Sequence, residues 1–256
     1  MRTKLFLTLL SVLFLVGIVI DAGQGSVPLN IVVNGGFEEP LVTVEKNWNI
    51  FSSEEIPGWC VEWVPGPETY GDYSRPEDAF IELQKNGVPN GCTAAEGVQW
   101  AELDSDWDGP TGIINGEPAS IKICQSLTTV PGEEYELRFC FSPRPNTDAL
   151  DNVLVVRWDG TDVDTISLAG GDGECEWTEY SYNLIATGCT TELEFADGGI
   201  SNSLGTFLDD VRVFGPTGPE HVIPEPPIIV CTLLMFMVLA IFLMVKKNRL
   251  GYVTKN

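Results

Sequence analysis

The sequence predicts an all-β sandwich or barrel as the body of the protein, and three observations predict it. Short runs of β-branched and aromatic residues recur along the chain, separated by Gly, Pro, Asn and Asp. No stretch between the two termini carries the apolar period of an amphipathic helix. One long run has a clear period of two: Tyr135, Leu137, Phe139 and Phe141 alternate with Glu136, Arg138, Cys140 and Ser142, giving one buried and one wet face.

The chain opens with the charged stretch Met1-Arg-Thr-Lys4, turns apolar from Leu5 to Ile20, and passes through small residues from Ala22 to Ser26. That pattern predicts a secretory signal peptide over residues 1–25, cut between about 22 and 26; a retained N-terminal anchor is the alternative. Residues 26–215 then form one domain, long enough for a full hydrophobic core. Residues 26–227 hold 36 acidic and eight basic side chains, a net of −28. Such a charge repels nucleic acid and anionic membrane and favours cations, although a solvated acidic exterior accounts for most of it.

The expected strands run in order. Ile31–Val33 opens the domain, followed by Trp59–Val64, Phe80–Leu83 and Val98–Leu103. Ser120–Leu127 places Ile121, Ile123, Gln125 and Leu127 on one side, so Gln125 is expected to point inward or into a cleft. Val130-Pro-Gly-Glu133 has Pro and Gly where a type II turn needs them and leads into Tyr135–Ser142. Asn152–Trp158 and Asp164–Leu168 are joined through the hairpin signal Trp158-Asp-Gly-Thr161. Trp177–Ile185, Thr191–Phe195 and Thr206–Phe214 complete the set, while 65–79 and 84–97 read as long loops. Asp209 and Asp210 lie inside the last run, where carboxylates are costly to desolvate without compensation. The nearest partner in the sequence is the opening segment Ile31 to Glu38, so the first and last strands are expected to meet around a metal ion.

Residues 216–227 form a Pro-rich linker. Residues 228–245 carry no charge over 18 positions, long enough to span a bilayer as a transmembrane helix. Lys246, Lys247 and Arg249 follow in the tail 246–256, which predicts a cytoplasmic C-terminus with the domain outside. Cys60, Cys92, Cys124, Cys140, Cys175 and Cys189 make an even set of disulfide candidates in the outer part. Cys175 with Cys189 is the first expected pair, because they bracket one strand and its turn. Cys124 and Cys140 would meet if the turn between them makes a simple hairpin, and could not join if their strands lie in opposite sheets. The only histidine, His221, lies in the linker, which argues against zinc and removes Ser-His-Asp and Cys-His catalysis.

Four pieces in order, Asn34-Gly-Gly-Phe-Glu38, Ile56-Pro-Gly-Trp59, Gln125 to Gly132 with Tyr135-Glu-Leu-Arg-Phe139, and Leu208-Asp-Asp-Val211, resemble the galactose-binding-like jelly rolls. That group includes many carbohydrate-binding modules and related extracellular domains of unknown function. The resemblance covers nearly the whole domain and implies a two-sheet antiparallel β-sandwich, a jelly roll. It also implies a structural Ca²⁺ joining the opening Phe-Glu segment to the closing Asp-Asp strand. Glu38 and Asp209 are then the side-chain ligands, with Asp210 as the alternate; backbone carbonyls and water complete the 6–8 oxygens that Ca²⁺ takes. The alternative is a pair of surface acids at strand ends. Ile223-Pro-Glu-Pro226, an apolar span and a basic cluster resemble the PEP-CTERM sorting signal of bacterial surface and matrix proteins, which implies a sorting protease cutting near Pro224–Pro226. This tail departs from that pattern by continuing past Arg249, and a plain single-span anchor is the alternative.

Asp104-Ser-Asp-Trp-Asp-Gly109 matches the first half of an EF-hand loop. Asn115 stands where the bidentate Glu is needed and no flanking helices are evident, so the stretch reads as an acidic loop. Seven tryptophans are available to stack on sugar rings, although for any single one core packing is the commoner answer. Trp63, Trp107, Arg144 and Asn146 are the expected ligand-facing residues, with a polysaccharide or cell-surface glycan as partner. The sequence therefore predicts a surface-anchored, non-catalytic carbohydrate-binding module. A structural surface or matrix protein without a sugar ligand is the first alternative. A glycoside hydrolase with a hidden carboxylate pair is the second.

Overall fold

A computed structural model of the chain describes residues 29–216, apart from 44, 66–68, 71 and 115–116. The signal peptide, most of the linker, the Pro-Glu-Pro signal, the transmembrane helix and the basic tail lie outside the described residues.

The described residues form β-structure without helices. The strands are β1 (Trp48–Ser52), β2 (Cys60–Trp63), β3 (Thr69–Tyr70), β4 (Tyr73–Ser74), β5 (Phe80–Lys85), β6 (Gln99–Glu102), β7 (Asp104–Asp106), β8 (Pro118–Thr128), β9 (Glu134–Ser142), β10 (Val153–Trp158), β11 (Thr161–Ser167), β12 (Thr178–Ile185), β13 (Thr190–Asp197) and β14 (Phe207–Phe214). One sheet has the order β1-β5-β6-β14-β9-β12, and the second β11-β10-β13-β8-β2, with β7 also paired to β8. The described residues thus form an all-β sandwich of two antiparallel sheets. Its core lies between their inner faces: Leu83, Ala101, Leu208 and Phe141 from the first sheet, Ile121, Ile123, Leu154 and Phe195 from the second.

The period-two runs fold as expected. Ile121, Ile123, Gln125 and Leu127 are all buried, and so are Tyr135, Leu137, Phe139 and Phe141. Gln125 does point inward, where its amide holds Val33 through the backbone N–H and C=O, at 2.8 and 3.0 Å. Gly132 has φ +85° and the Glu133 N–H donates to the Val130 carbonyl, closing the expected turn. Asp159 and Gly160 both have positive φ, which is what a two-residue hairpin turn between β10 and β11 requires.

Several expectations are corrected. Ile31–Val33 is not a strand; Asn30 alone bridges to Phe214, and Ile31 N–H donates to the Val213 carbonyl at 2.9 Å. Asn34 and Phe37 have positive φ, which turns the segment away from the ladder. It still abuts β14: Val211 N–H donates to the Gly35 carbonyl at 2.9 Å, and a Cβ on Gly35 would overlap the Val211 carbonyl. Asp104 to Asp106 is strand β7, fully paired and buried, not an acidic loop. β1 and the short β3–β4 hairpin carry no legible apolar alternation.

The disulfides also differ from the expected pairs. Cys60 bonds Cys124, directly opposite it in the β2–β8 register, and Cys92 bonds Cys175. Cys124 cannot reach Cys140 because β8 and β9 belong to different sheets. Cys140 and Cys189 carry no disulfide, and burial followed by the Asp210 and Asp209 charges pushes the Cys140 thiol up to about 11.

Candidate functional site

The opening segment, the loop before β6 and the bulge in β14 meet at one place. Asp209 is wholly buried; its Oδ2 accepts the Glu96 N–H at 2.9 Å and its Oδ1 the Asp210 N–H at 2.7 Å. Glu38 Oε1 accepts the Val98 and Gln99 N–H groups at 2.7 and 3.1 Å. A Cβ on Gly97 would collide with the Glu38 carboxylate, and one on Gly36 with that of Glu96. Glycine at both places therefore lets carboxylates press against backbone. Burial pushes Asp209 up to about 8, against the pull of the Glu96 N–H. Glu38, Glu96 and Asp209 thus border the same meeting point, and Glu96 was not singled out from sequence, because it lies in a stretch with no β-pattern. Asp210 does not join them: its carboxylate pairs with Arg212 at 2.8 Å. Among the described residues no three Asp, Glu, His or Cys side chains gather as a metal set, so a cation at this clasp would need backbone carbonyls and water as well.

The outer face of the first sheet holds a second constellation. Gln84 stands opposite Trp100, and Glu82 opposite Glu102, in the β5–β6 register. Gln84 Nε2 donates to both Glu82 Oε1, at 2.9 Å, and Glu102 Oε2. Arg144 Nη1 pairs with Glu102 Oε1 at 2.5 Å and donates to the Ser203 carbonyl at 3.0 Å. All of Glu82, Gln84, Trp100 and Glu102 are buried. Two atoms among them are buried with no hydrogen-bond partner: the acceptor Gln84 Oε1 and the donor Trp100 Nε1. Beside them lies an apolar platform in which Trp100 packs on Phe207 and Trp177, under the Cys92–Cys175 bridge.

One loop reads a row of acids along the edge of this face. Gly205 N–H donates to Glu102 at 3.1 Å, Asn202 and Leu204 N–H donate to Asp104 at 2.8 and 3.1 Å, and the Ser203 hydroxyl donates to Asp106. Burial raises each of these acids. Glu102 reaches about 7, with Arg144 opposing the rise. Asp104 reaches about 8, with Asp197 adding to burial. Glu82 is pushed well above the usual carboxylate range by burial, then by Glu102 and Asp106.

The expected ligand-facing residues divide. Arg144 belongs to the outer-face constellation, pairing with Glu102. Trp107 is 8% exposed, with its indole N–H buried and unpartnered directly after Asp106. Trp63 lies at the rim of the core: Phe80 packs edge-on, Arg75 covers its ring at 5.0 Å, and its indole N–H donates to the Pro76 carbonyl. Asn146 is exposed in a turn with φ +62°.

A groove of about 590 Å³ opens between the edge strands β11 and β12, with Trp158 and Tyr182 in its lining. Its aromatic polar ends are already engaged, Trp158 with the Ile185 carbonyl and Tyr182 with Asp164. The outer face has fewer satisfied groups and so more to offer a ligand.

The fold defines the class of this protein as an all-β, disulfide-bonded sandwich of two antiparallel sheets. No family model and no curated protein matches the chain. Similar solved structures include a cyclase from Fischerella sp. TAU, 17% identical over 76% of this chain and 100% of that one, with a TM-score of 0.48. An arabinose-bound MgGH51 α-L-arabinofuranosidase is 13% identical over 77% of this chain and 28% of that one, at 0.43. A family 35 carbohydrate-binding module from Clostridium thermocellum is 11% identical over 66% and 98%, at 0.35. At such scores none of their properties carries to this chain.

Proposed function

We propose that this protein is a non-catalytic glycan-binding module held outside the cell, with the outer face of the first sheet as its binding face. The observation that carries this reading is the pair of buried, unpartnered atoms Gln84 Oε1 and Trp100 Nε1 beside carboxylates, a guanidinium and an aromatic platform. Buried polar atoms are nearly always paired, so an acceptor and a donor left open call for a ligand that supplies both. A sugar does so through its hydroxyls, while its apolar ring face suits Trp100 and Phe207. Entry requires displacement of the cover over Trp100 and Phe207, which Trp177 and the Cys92–Cys175 bridge form. Location outside the cell is supported by two disulfides, which persist in oxidising compartments. Its anchoring rests on the expected C-terminal span.

A non-catalytic role is supported by how the acids meet. Glu82 and Glu102 converge on the single nitrogen of Gln84, whereas glycosidase carboxylates flank the bond they cleave. A glycan array probed with the full chain is expected to give binding, and the bound polysaccharide is expected to release no reducing sugar on incubation. Release that Glu102→Gln abolishes would make the protein a hydrolase instead. An array with no positive glycan favours the structural surface protein.

A structural Ca²⁺ at the Glu38–Asp209 clasp is part of the same proposal, supported by a wholly buried Asp209 carboxylate held only by N–H donors. At saturating ion, binding contributes about 3 kcal/mol of stability. Chelation is therefore expected to lower the melting temperature by roughly 5–10 °C, and Glu38→Gln to reduce that shift. A shift of the same size in the variant would count against the clasp.

A further inference from the structure

The two oxygens of Asp104, wholly buried, are treated unequally. Oδ2 accepts the N–H groups of Asn202 and Leu204, whereas Oδ1 is buried and accepts nothing. The side chain of Asn202 repeats the imbalance: Nδ2 donates to Asp151 Oδ1 at 2.8 Å, and Oδ1 is buried without a donor. The charge that weighs most on Asp104 is another buried carboxylate, Asp197. The two are linked through Ser120, the register partner of Asp104, whose hydroxyl donates to Asp197 Oδ2 at 2.6 Å. Asp197 Oδ1 accepts the Thr206 hydroxyl at 2.8 Å and the Gly199 N–H at 3.3 Å.

Two neighbouring buried carboxylates stay in place when a proton or a cation offsets them. Two open acceptor oxygens beside them, with no donor reaching either, favour the cation. Both open atoms are oxygens, which suits a hard ion over the metals that prefer nitrogen or sulfur. We propose that Asp104, Asp197 and Asn202 form a binding site for a hard divalent cation of the calcium class, made of different residues from the Glu38–Asp209 clasp. Two carboxylates and one amide oxygen leave the rest of the coordination to hydroxyls, carbonyls and water. The ion ties β7 and β13 to the loop 198–206. That loop also holds Glu102 and Asp106 through Gly205 and Ser203, so cation binding orders the edge of the proposed glycan face.

The test is calcium titration by calorimetry on the purified full chain after chelator treatment, in a Glu38→Gln background that removes the clasp. A single ion per chain is expected to remain. Adding Asp104→Asn is expected to abolish it, and Asn202→Leu, which leaves both carboxylates, to weaken it at least tenfold. Circular dichroism establishes that each variant is folded; if Asp104→Asn is not, the Asn202→Leu affinity decides. No ion bound in the Glu38→Gln chain, or calcium affinity unaltered by these substitutions, overturns the proposal and leaves Asp104 held by a proton.

Discussion

Raising the pH from about 4.5 to 8 in chelator-containing buffer is expected to lower the melting temperature by roughly 10 °C. Glu102 carries the argument. In the folded protein burial lifts it from 4.5 to about 7, so the native state keeps a proton that the unfolded chain releases near 4.5. Its contribution is fully present below 4.5 and is lost as pH rises through 7. The difference is on the order of 3 kcal/mol, at about 1.4 kcal/mol per pH unit. Glu82, raised by the same burial and by Glu102 itself, acts in the same direction. Arg144 limits the effect by favouring the ionised form of Glu102. Glu102→Gln keeps an acceptor for Arg144 and Gly205 and is expected to flatten the profile. A melting temperature that holds steady or climbs over this range would show that the outer face carries its acids ionised.

Removing the Cys92–Cys175 bridge by a double Cys→Ser substitution is expected to cost roughly 4 kcal/mol, on chain-entropy reasoning for its sequence separation of 83. Cys60 and Cys124 lie opposite each other on paired strands, so β2–β8 hydrogen bonds already hold their register. Cys92 and Cys175 lie outside the strands, in loops covering Trp100 and Phe207, and the bridge is part of that small core. Its loss should also expose the Trp100 indole. Chemical denaturation followed by tryptophan fluorescence checks both effects. An unchanged midpoint would mean that the loops hold this cover without the bridge.

The sandwich was legible because period two survives wherever a strand has one wet and one buried face, as in Glu134–Ser142 and Pro118–Thr128. It did not reveal Asp104–Asp106, which is buried on both faces and puts acids where alternation puts apolar residues, whereas Gln99–Glu102 falls within the expected strand Val98–Leu103. Asp104-Ser-Asp-Trp-Asp-Gly109 therefore matched half of an EF-hand loop in sequence, while its first two acids bind the distant residues 202–204. Such long-range pairing leaves no local pattern. Glu38 and Asp209 were legible as neighbours through the resemblance of their flanking motifs. Glu96, Glu82 and Glu102 were not, because a carboxylate's role here depends on which strand stands beside it. Arg144 was singled out for its place just after a strand, and its structural role, pairing with Glu102, emerges only from the fold.

The central claim, that a glycan occupies the outer face of the first sheet, is tested most directly by Trp100→Phe. That change keeps an aromatic platform and removes the unpartnered indole N–H. Titration of an array-identified glycan into wild type and variant, both confirmed folded, should show affinity weakened about tenfold, the worth of one hydrogen bond. Equal affinity in the two proteins would contradict the claim and move the site elsewhere, with the groove between β11 and β12 as the next place to test.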